Sequence, residues 1–212
     1  MFPTVEVRWF YQGAVSSEVL EWFEQGERAP EEQPCRVDYY LRLSDRDSLG
    51  IKLREGRVEV KQRHRQYGVF RFHDRVTGLV EHWRKWSFEL SEGAGNLTST
   101  IVPASCWIGV TKRRKLRRYR LTGNKKIVAV PVGLQSGLRC NLELTRIIVD
   151  ETEWWSLGFE ASGDGTDEAT MRGSLLLVAK HVLAADEPPA FDAKASYGYP
   201  KWLEIKARRG GR

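Results

Sequence analysis

Residues 57–63 read Arg-Val-Glu-Val-Lys-Gln-Arg, and this stretch decides the fold. Charged side chains stand at every second position, at Arg57, Glu59, Lys61 and Arg63, and valines stand between the first three. A period of two residues is typical of a β-strand, because successive side chains of a strand point to opposite faces. The stretch therefore predicts a strand with one charged face and one apolar face.

The same alternation recurs on both sides of this stretch. Two segments break it and predict helices over 16–25 and 166–185, where a cap residue precedes an apolar stripe. With about eight or nine strands and two helices, the chain is predicted to be α+β, mostly antiparallel β. The predicted strands lie at 4–9, 36–43, 51–54, 57–63, 67–72, 80–90, 107–121, 138–149 and 154–162.

Strands of this kind fit two architectures. A two-layer sandwich would bury the apolar faces and leave the charges on the surface. A closed barrel would instead turn the apolar faces outward, under helices and loops, and place the charges around an inner channel. Alternation alone does not choose between them.

The composition sets the broad class of protein. The chain has 212 residues and a net charge of +6, which favour one domain and anionic partners. It has no apolar run of about 18 residues and no leader pattern at the N-terminus, so we expect a cytoplasmic protein without a membrane partner. Three cysteines and four histidines lack disulfide or metal-ligand spacing, and the histidines are expected to be structural or solvated.

The charged faces mix two kinds of side chain. Arginine and lysine suit phosphate oxygens, whereas carboxylates in the same cavity suit Mg²⁺ or Mn²⁺ bound together with phosphates. The alternative is a solvated sheet face with weak cross-strand ion pairs. A second alternative concerns the basic run 112–120, which also has the composition of a nucleic-acid patch.

The order of these elements resembles the CYTH, or triphosphate tunnel metalloenzyme, superfamily over about residues 3–183. The family's Lys-x-Arg stands intact at Lys112-Arg113-Arg114. Its other motifs are matched in part by Thr4-Val5-Glu6-Val7-Arg8, Lys85-Trp86-Ser87-Phe88-Glu89, Asn141-Leu142-Glu143-Leu144-Thr145 and Glu160-Ala161-Ser162.

The resemblance implies a closed eight-stranded tunnel barrel with two or more flanking helices, formed by residues 1–185. Residues 186–212 would be a C-terminal tail, irregular after its two prolines, partly packed and partly disordered. The catalytic and metal-binding residues would be Glu6, Glu89, Glu143 and Glu160. The residues that bind the substrate phosphates would be Arg8, Arg42, Lys52, Arg54, Lys61, Lys85, Lys112 and Arg114.

Compared with the family pattern, the cations are kept and three carboxylates are missing. Fewer carboxylates weaken metal binding and leave anion binding intact. We therefore carry two hypotheses for the barrel. It is a divalent-metal-dependent phosphohydrolase acting on a triphosphate-bearing small molecule or inorganic triphosphate, or it binds a nucleotide or polyphosphate without turnover. RNA binding through residues 112–120 is a third hypothesis.

Overall fold

A computed structural model describes residues 1–89, 106–124, 126–134, 137–184 and 187–210. The nine strands in this part of the chain are β1 (Phe2–Gln12), β2 (Glu31–Leu41), β3 (Leu49–Arg54), β4 (Arg57–His73), β5 (Val76–Glu89), β6 (Trp107–Leu121), β7 (Ile127–Val130), β8 (Arg139–Val149) and β9 (Thr152–Ser162). The helices are α1 (Ser17–Glu24), α2 (Glu168–Ala184) and α3 (Tyr199–Gly210), with a short 3₁₀ turn at Ala193–Ala195.

Eight of the described strands close into an antiparallel barrel. Their order is β2-β3-β4-β5-β1-β9-β8-β6, and β6 returns to pair with β2 from Leu116 opposite Glu31 to Trp107 opposite Leu41. Strand β7 lies outside this ring and pairs only with the end of β6, among the strands described. The predicted mostly antiparallel α+β barrel is confirmed, and closure decides against the sandwich.

The apolar faces of the strands point outward and are covered by two helices. Val5, Val7 and Trp9 on β1 belong to a buried cluster that also contains Phe23 of α1 and Leu175 of α2. Ser16 caps α1 by accepting a hydrogen bond from the backbone N–H of Val19 at 3.3 Å, as its position before the apolar stripe predicts. The core of the protein therefore lies between the barrel wall and the helices.

A second apolar cluster fills one end of the barrel interior. Phe10 shares its strand face with Glu6 and Arg8, and its ring stacks on that of Trp202 with centroids 5.3 Å apart. Trp202 belongs to α3, so the expectation of an irregular tail is wrong for this segment. The tail is helical because its aromatic residues have an apolar surface to pack against inside the barrel. Residues 211 and 212 lie outside the described part of the chain.

Two features of the strands needed the tertiary structure. The predicted strands 57–63 and 67–72 are one strand, β4, because bulges at Arg63–Arg65 and Gln66–Gly68 absorb the break in alternation. Strand β7 was not predicted, since four residues carry too short a pattern.

No helix in the described ranges is both long and apolar enough to cross a membrane.

Candidate functional site

The inner charged faces enclose a cavity of about 350 Å³. Within the described chain, nine cationic side chains and four carboxylates line it, so positive charge is in excess. The cations are Arg8, Arg36, Lys52, Arg54, Lys61, Lys85, Lys112, Arg114 and Arg118, and the carboxylates are Glu6, Glu59, Glu143 and Glu160.

Strand alternation and one bulge place these side chains. On β6, Lys112, Arg114 and Arg118 share one parity and all reach the cavity. On β2, a register shift between Gln33 and Arg36 changes the parity, so both of these side chains reach it too. A bulge thus adds one lining side chain that strict alternation would have turned outward.

Asp38 holds the cations of three strands, β2, β3 and β6, together beneath the cavity. It is fully buried, and its oxygens lie 2.8 and 3.0 Å from Nε and Nη2 of Arg54 and 3.1 Å from Nζ of Lys112. Lys52 and Arg36 approach the same carboxylate at 3.5 and 3.3 Å. Although burial opposes its ionisation, Lys112, Arg54 and Lys52 hold the pKa of Asp38 far below its usual range.

Burial has the opposite effect on the two lysines beside Asp38. It lowers the pKa of Lys112 to about 7 and that of Lys52 to about 7, and Asp38 offsets only part of this effect. Lys112 is enclosed by aromatic rings, with Nζ 3.7 Å from the ring centre of Tyr199 and 4.8 Å from that of Tyr40. Burial therefore makes both lysines easier to deprotonate than a lysine in water.

A second group joins Glu6, Glu160 and Lys61. Nζ of Lys61 lies 2.6 Å from Glu6 and 3.5 Å from Glu160, and it sits 5.5 Å from the ring centre of Trp83. Burial raises the pKa of Glu6, whereas Lys61 and Lys85 outweigh burial at Glu160 and lower its pKa. One lysine thus bridges two glutamates at this side of the cavity.

Glu143 forms a third group with two arginines. It accepts a hydrogen bond from Nη1 of Arg8 at 2.9 Å and lies 3.5 Å from Nη1 of Arg114. Although burial opposes it, Arg8 and Arg114 lower the pKa of Glu143 to about 2. Gly158 faces Arg8 across the strand pair, and a Cβ there would lie 2.9 Å from Cζ of Arg8, so glycine leaves room for the guanidinium.

Several cations keep unused hydrogen-bonding capacity. The Nε atom of Arg114 is buried and makes no hydrogen bond with the described residues, and Nε of Arg36 lies 3.3 Å from Asp38 without hydrogen-bond geometry. Lys85 forms no ion pair with any carboxylate that the structure describes. Because buried donors are nearly always paired, the Nε atom of Arg114 favours an acceptor in the cavity, and Lys85 adds a positive charge beside it.

Ten of the twelve residues predicted for the site line this cavity. Glu89 does not, since it ends β5 with a side chain that is 77% exposed and pairs with Arg57 at 2.7 Å. Arg42 does not either, because it follows the end of β2 and lies half-exposed, 3.9 Å from Asp150. The alternation is right at both positions, but each lies past the end of the enclosed channel.

Sequence reasoning missed lining residues of two kinds. Arg118 has the parity of Lys112 and Arg114, so alternation was a sufficient signal for it. Tyr199 and Pro200 come from the tail, and no pattern in the sequence places a tail segment inside a barrel.

The carboxylates of the cavity do not form a ready metal site. Glu6 and Glu160 are both paired with Lys61, and Glu143 is paired with Arg8 and Arg114. Among the described residues, the cavity glutamates are not part of any group of three ligand side chains whose donor atoms lie within 4.8 Å of one another. The donor set therefore does not fit the Mg²⁺ or Mn²⁺ that the family resemblance implies.

The basic run 112–120 is divided among the cavity, the apolar core and the outer face of β6. Arg117 is buried with its guanidinium carbon 5.5 Å from the ring centre of Phe23, and Tyr119 belongs to the outer apolar cluster. Arg113 and Lys115 face the other side of the strand from Lys112. The run thus presents its charges to three different environments.

Comparisons with known proteins add no family to these observations. No protein-family model matches the chain, and no curated protein matches it. The closed antiparallel barrel with its flanking helices is compatible with a tunnel fold, and the chemistry must be argued from the cavity itself.

Proposed function

We propose that the chain binds a linear polyphosphate anion inside the barrel, such as inorganic triphosphate or the triphosphate group of a small molecule. The observation that carries the proposal is the excess of nine cationic side chains over the four carboxylates that line the cavity and the buried Asp38 beneath it. Guanidinium groups match phosphate oxygens in geometry, and lysines add mobile point charges. The resemblance to the triphosphate tunnel superfamily supports the same ligand class.

The size of the cavity suits a small anion. A volume of about 350 Å³ lies at the lower end of the range of small-molecule sites, about 300–1,000 Å³. The apolar cluster around Phe10 and Trp202 fills one end of the barrel, so the charged part of the interior is short. A chain of a few phosphates can contact most of these cations at once, whereas a single phosphate can contact only a few of them.

The proposal is limited to binding because the carboxylates are already paired with cations. Divalent-metal-dependent hydrolysis is the alternative hypothesis, and it requires Glu6, Glu143 and Glu160 to serve a metal ion instead of Lys61, Arg8 and Arg114. Release of phosphate from triphosphate in the presence of Mg²⁺ or Mn²⁺, above that of a Glu6→Gln variant, would support this alternative.

Binding is tested by titrating tripolyphosphate into the protein in EDTA, with calorimetry and thermal unfolding as readouts. An anion that binds only the folded state and is present at a concentration of about 100 times its Kd adds about 2.7 kcal/mol to the free energy of unfolding. We expect Arg114→Gln to weaken binding by about 10–100-fold, since a hydrogen bond to a charged group contributes about 1.5–3 kcal/mol.

The matched control is Arg42→Gln, which removes the same charge outside the cavity. It should leave the Kd within about twofold, because exposed charges are screened by salt. The proposal is wrong if tripolyphosphate neither binds nor stabilises the wild-type protein, or if Arg42→Gln weakens binding as much as Arg114→Gln.

A further inference from the structure

Two histidines and a glutamate meet on the outside of the barrel, away from the cavity. His82 lies on β5 between Glu81 and Trp83, whose side chains point inward, so His82 points outward. The β4–β5 register passes from Arg63 opposite Trp83 to Arg65 opposite His82 and leaves His64 as the extra residue of a bulge. The bulge brings His64 to the outer face beside His82, with ring centroids 5.2 Å apart.

The third group comes from the helix that covers this face. Glu168 is the first residue of α2, and one of its oxygens lies 2.9 Å from Nδ1 of His82. One donor atom from each of His64, His82 and Glu168 lies within 4.8 Å of the other two. Three separate elements of secondary structure therefore bring two imidazoles and a carboxylate to one point.

His82 also has unused hydrogen-bonding capacity. Its side chain is only 3% exposed, yet neither ring nitrogen makes a hydrogen bond of normal geometry with the described residues. Buried polar groups without partners are exceptions that require an explanation, and an unseen ion is one of the standard explanations. The 2.9 Å approach of Glu168 brings the two groups together without hydrogen-bond alignment, which is also how two ligands of one ion lie.

We propose that His64, His82 and Glu168 bind a divalent transition-metal ion of the Zn²⁺ type. Two imidazoles and one carboxylate are an established Zn²⁺ ligand set, and imidazole selects zinc and its neighbours over Mg²⁺ and Ca²⁺. Ligand atoms about 2.0–2.1 Å from a tetrahedral ion lie about 3.4 Å apart. The longer separations, of up to 4.8 Å, must therefore shorten, and the 2.9 Å between Glu168 and His82 must lengthen slightly, by shifts of about 1 Å or less. His64 is exposed and free to make this shift.

The surroundings of Glu168 support the site. The hydroxyl of Tyr67 donates a hydrogen bond to Oε1 of Glu168, while Oε2 is the oxygen nearest His82. Outer partners of this kind orient a ligating carboxylate. Nη1 of Arg65 lies 3.5 Å from Oε1, so it also approaches the oxygen that faces away from His82.

The metal would link the start of α2 to strands β4 and β5. Since this site and the anion cavity lie on opposite faces of β5, the two proposals are independent of each other. The expected consequence of metal binding is stabilisation of the helix on the barrel, measurable as a rise in the unfolding temperature on adding Zn²⁺.

The experiment titrates Zn²⁺ into the tag-free full chain and measures the Kd by competition with a chromophoric chelator. We expect His64→Ala and Glu168→Gln each to weaken binding at least about tenfold, since even outer-sphere partners of a metal contribute about 10–100-fold. His64 is exposed, so its substitution leaves the fold intact. Co²⁺ should give the absorption bands of a low-coordinate site in the wild type and not in His64→Ala.

The matched control is His181→Ala, which removes an exposed histidine at the far end of α2. A Cys35→Ser/Cys106→Ser variant removes the two exposed thiols that could also bind zinc. Both should retain the wild-type Kd. The proposal is overturned if His64→Ala binds Zn²⁺ as tightly as the wild type, if binding is lost with the two cysteines, or if the wild type binds no Zn²⁺.

Discussion

Asp38→Asn is the substitution that tests the charge network most directly. Asparagine keeps the shape of the side chain but removes the negative charge that faces Arg54, Lys112, Lys52 and Arg36. It also places an amide donor among groups that only donate hydrogen bonds. The two arginines would then face each other without the carboxylate that now separates them, and the two lysines would lose the charge that favours their protonated form.

The magnitude follows from burial. Removing one partner of a buried ion pair costs about 3–5 kcal/mol, because the remaining charge stays buried without compensation. For a protein of this size each 1 kcal/mol lowers the unfolding temperature by about 2–4 °C, so the expected fall is roughly 6–20 °C. Tripolyphosphate should raise the unfolding temperature of Asp38→Asn by part of this amount, since an anion in the cavity restores negative charge beside the four side chains.

The assay is thermal and urea unfolding of the wild type and two variants. Asp150→Asn is the control, because Asp150 is 54% exposed and its pairs with Arg42 and Lys206 lie at the surface. Its loss should cost less than about 1 kcal/mol. The reasoning is refuted if Asp38→Asn is no more destabilising than Asp150→Asn, since Asp38 would then not organise the network.

Three further outcomes follow from the same contacts. The pKa of Glu143 is lowered to about 2 from an ordinary 4.5, so the stability that its ionised form contributes is complete above pH 4.5 and is lost as the pH falls towards 2. The difference in urea stability between wild type and Glu143→Gln should therefore shrink over this interval. A constant difference would contradict the pairing. Burial lowers the pKa of Lys52 and Lys112 to about 7, so above that pH the unfolded chain binds more protons than the folded protein. The free energy of unfolding of the wild type relative to Lys112→Met should therefore rise between pH 7 and 10, by up to about 1.4 kcal/mol per pH unit, and a fall would refute the shift. Trp202→Ala should lower the free energy of unfolding in urea by about 3–5 kcal/mol, because the Trp202 side chain is fully buried in the end of the barrel. Leu177→Ala, at an exposed position, should change it by less than about 0.5 kcal/mol. Equal effects would show that α3 does not close the barrel.

Much of the site could be predicted because strand geometry is local. Glu6 and Arg8 were assigned to one face of β1 from alternation, and Lys112 and Arg114 to one face of β6, and the structure brings all four to the cavity. Alternation did not show that Glu89 lies outside the cavity, because it gives the direction of a side chain but not where the enclosed channel ends.

The histidines show a second limit of sequence reasoning. His64 and His82 are 18 positions apart and have no metal-ligand spacing, so they were expected to be structural or solvated. A bulge in β4 and the start of α2 bring them to Glu168, which is about 100 residues away along the chain. Contacts of this kind depend on the register in which the strands pair, and that register is set by packing in the folded protein.

The sequence by itself determined that this protein is built of strands with one charged and one apolar face, because a period of two residues is imposed by the backbone of each strand. Only the tertiary structure decided that the charged faces turn inward. Pairing of β2 with β6 closes the sheet, and α1 and α2 then cover the outer apolar faces. Closure and register depend on contacts between residues far apart in the chain, and no local pattern records them.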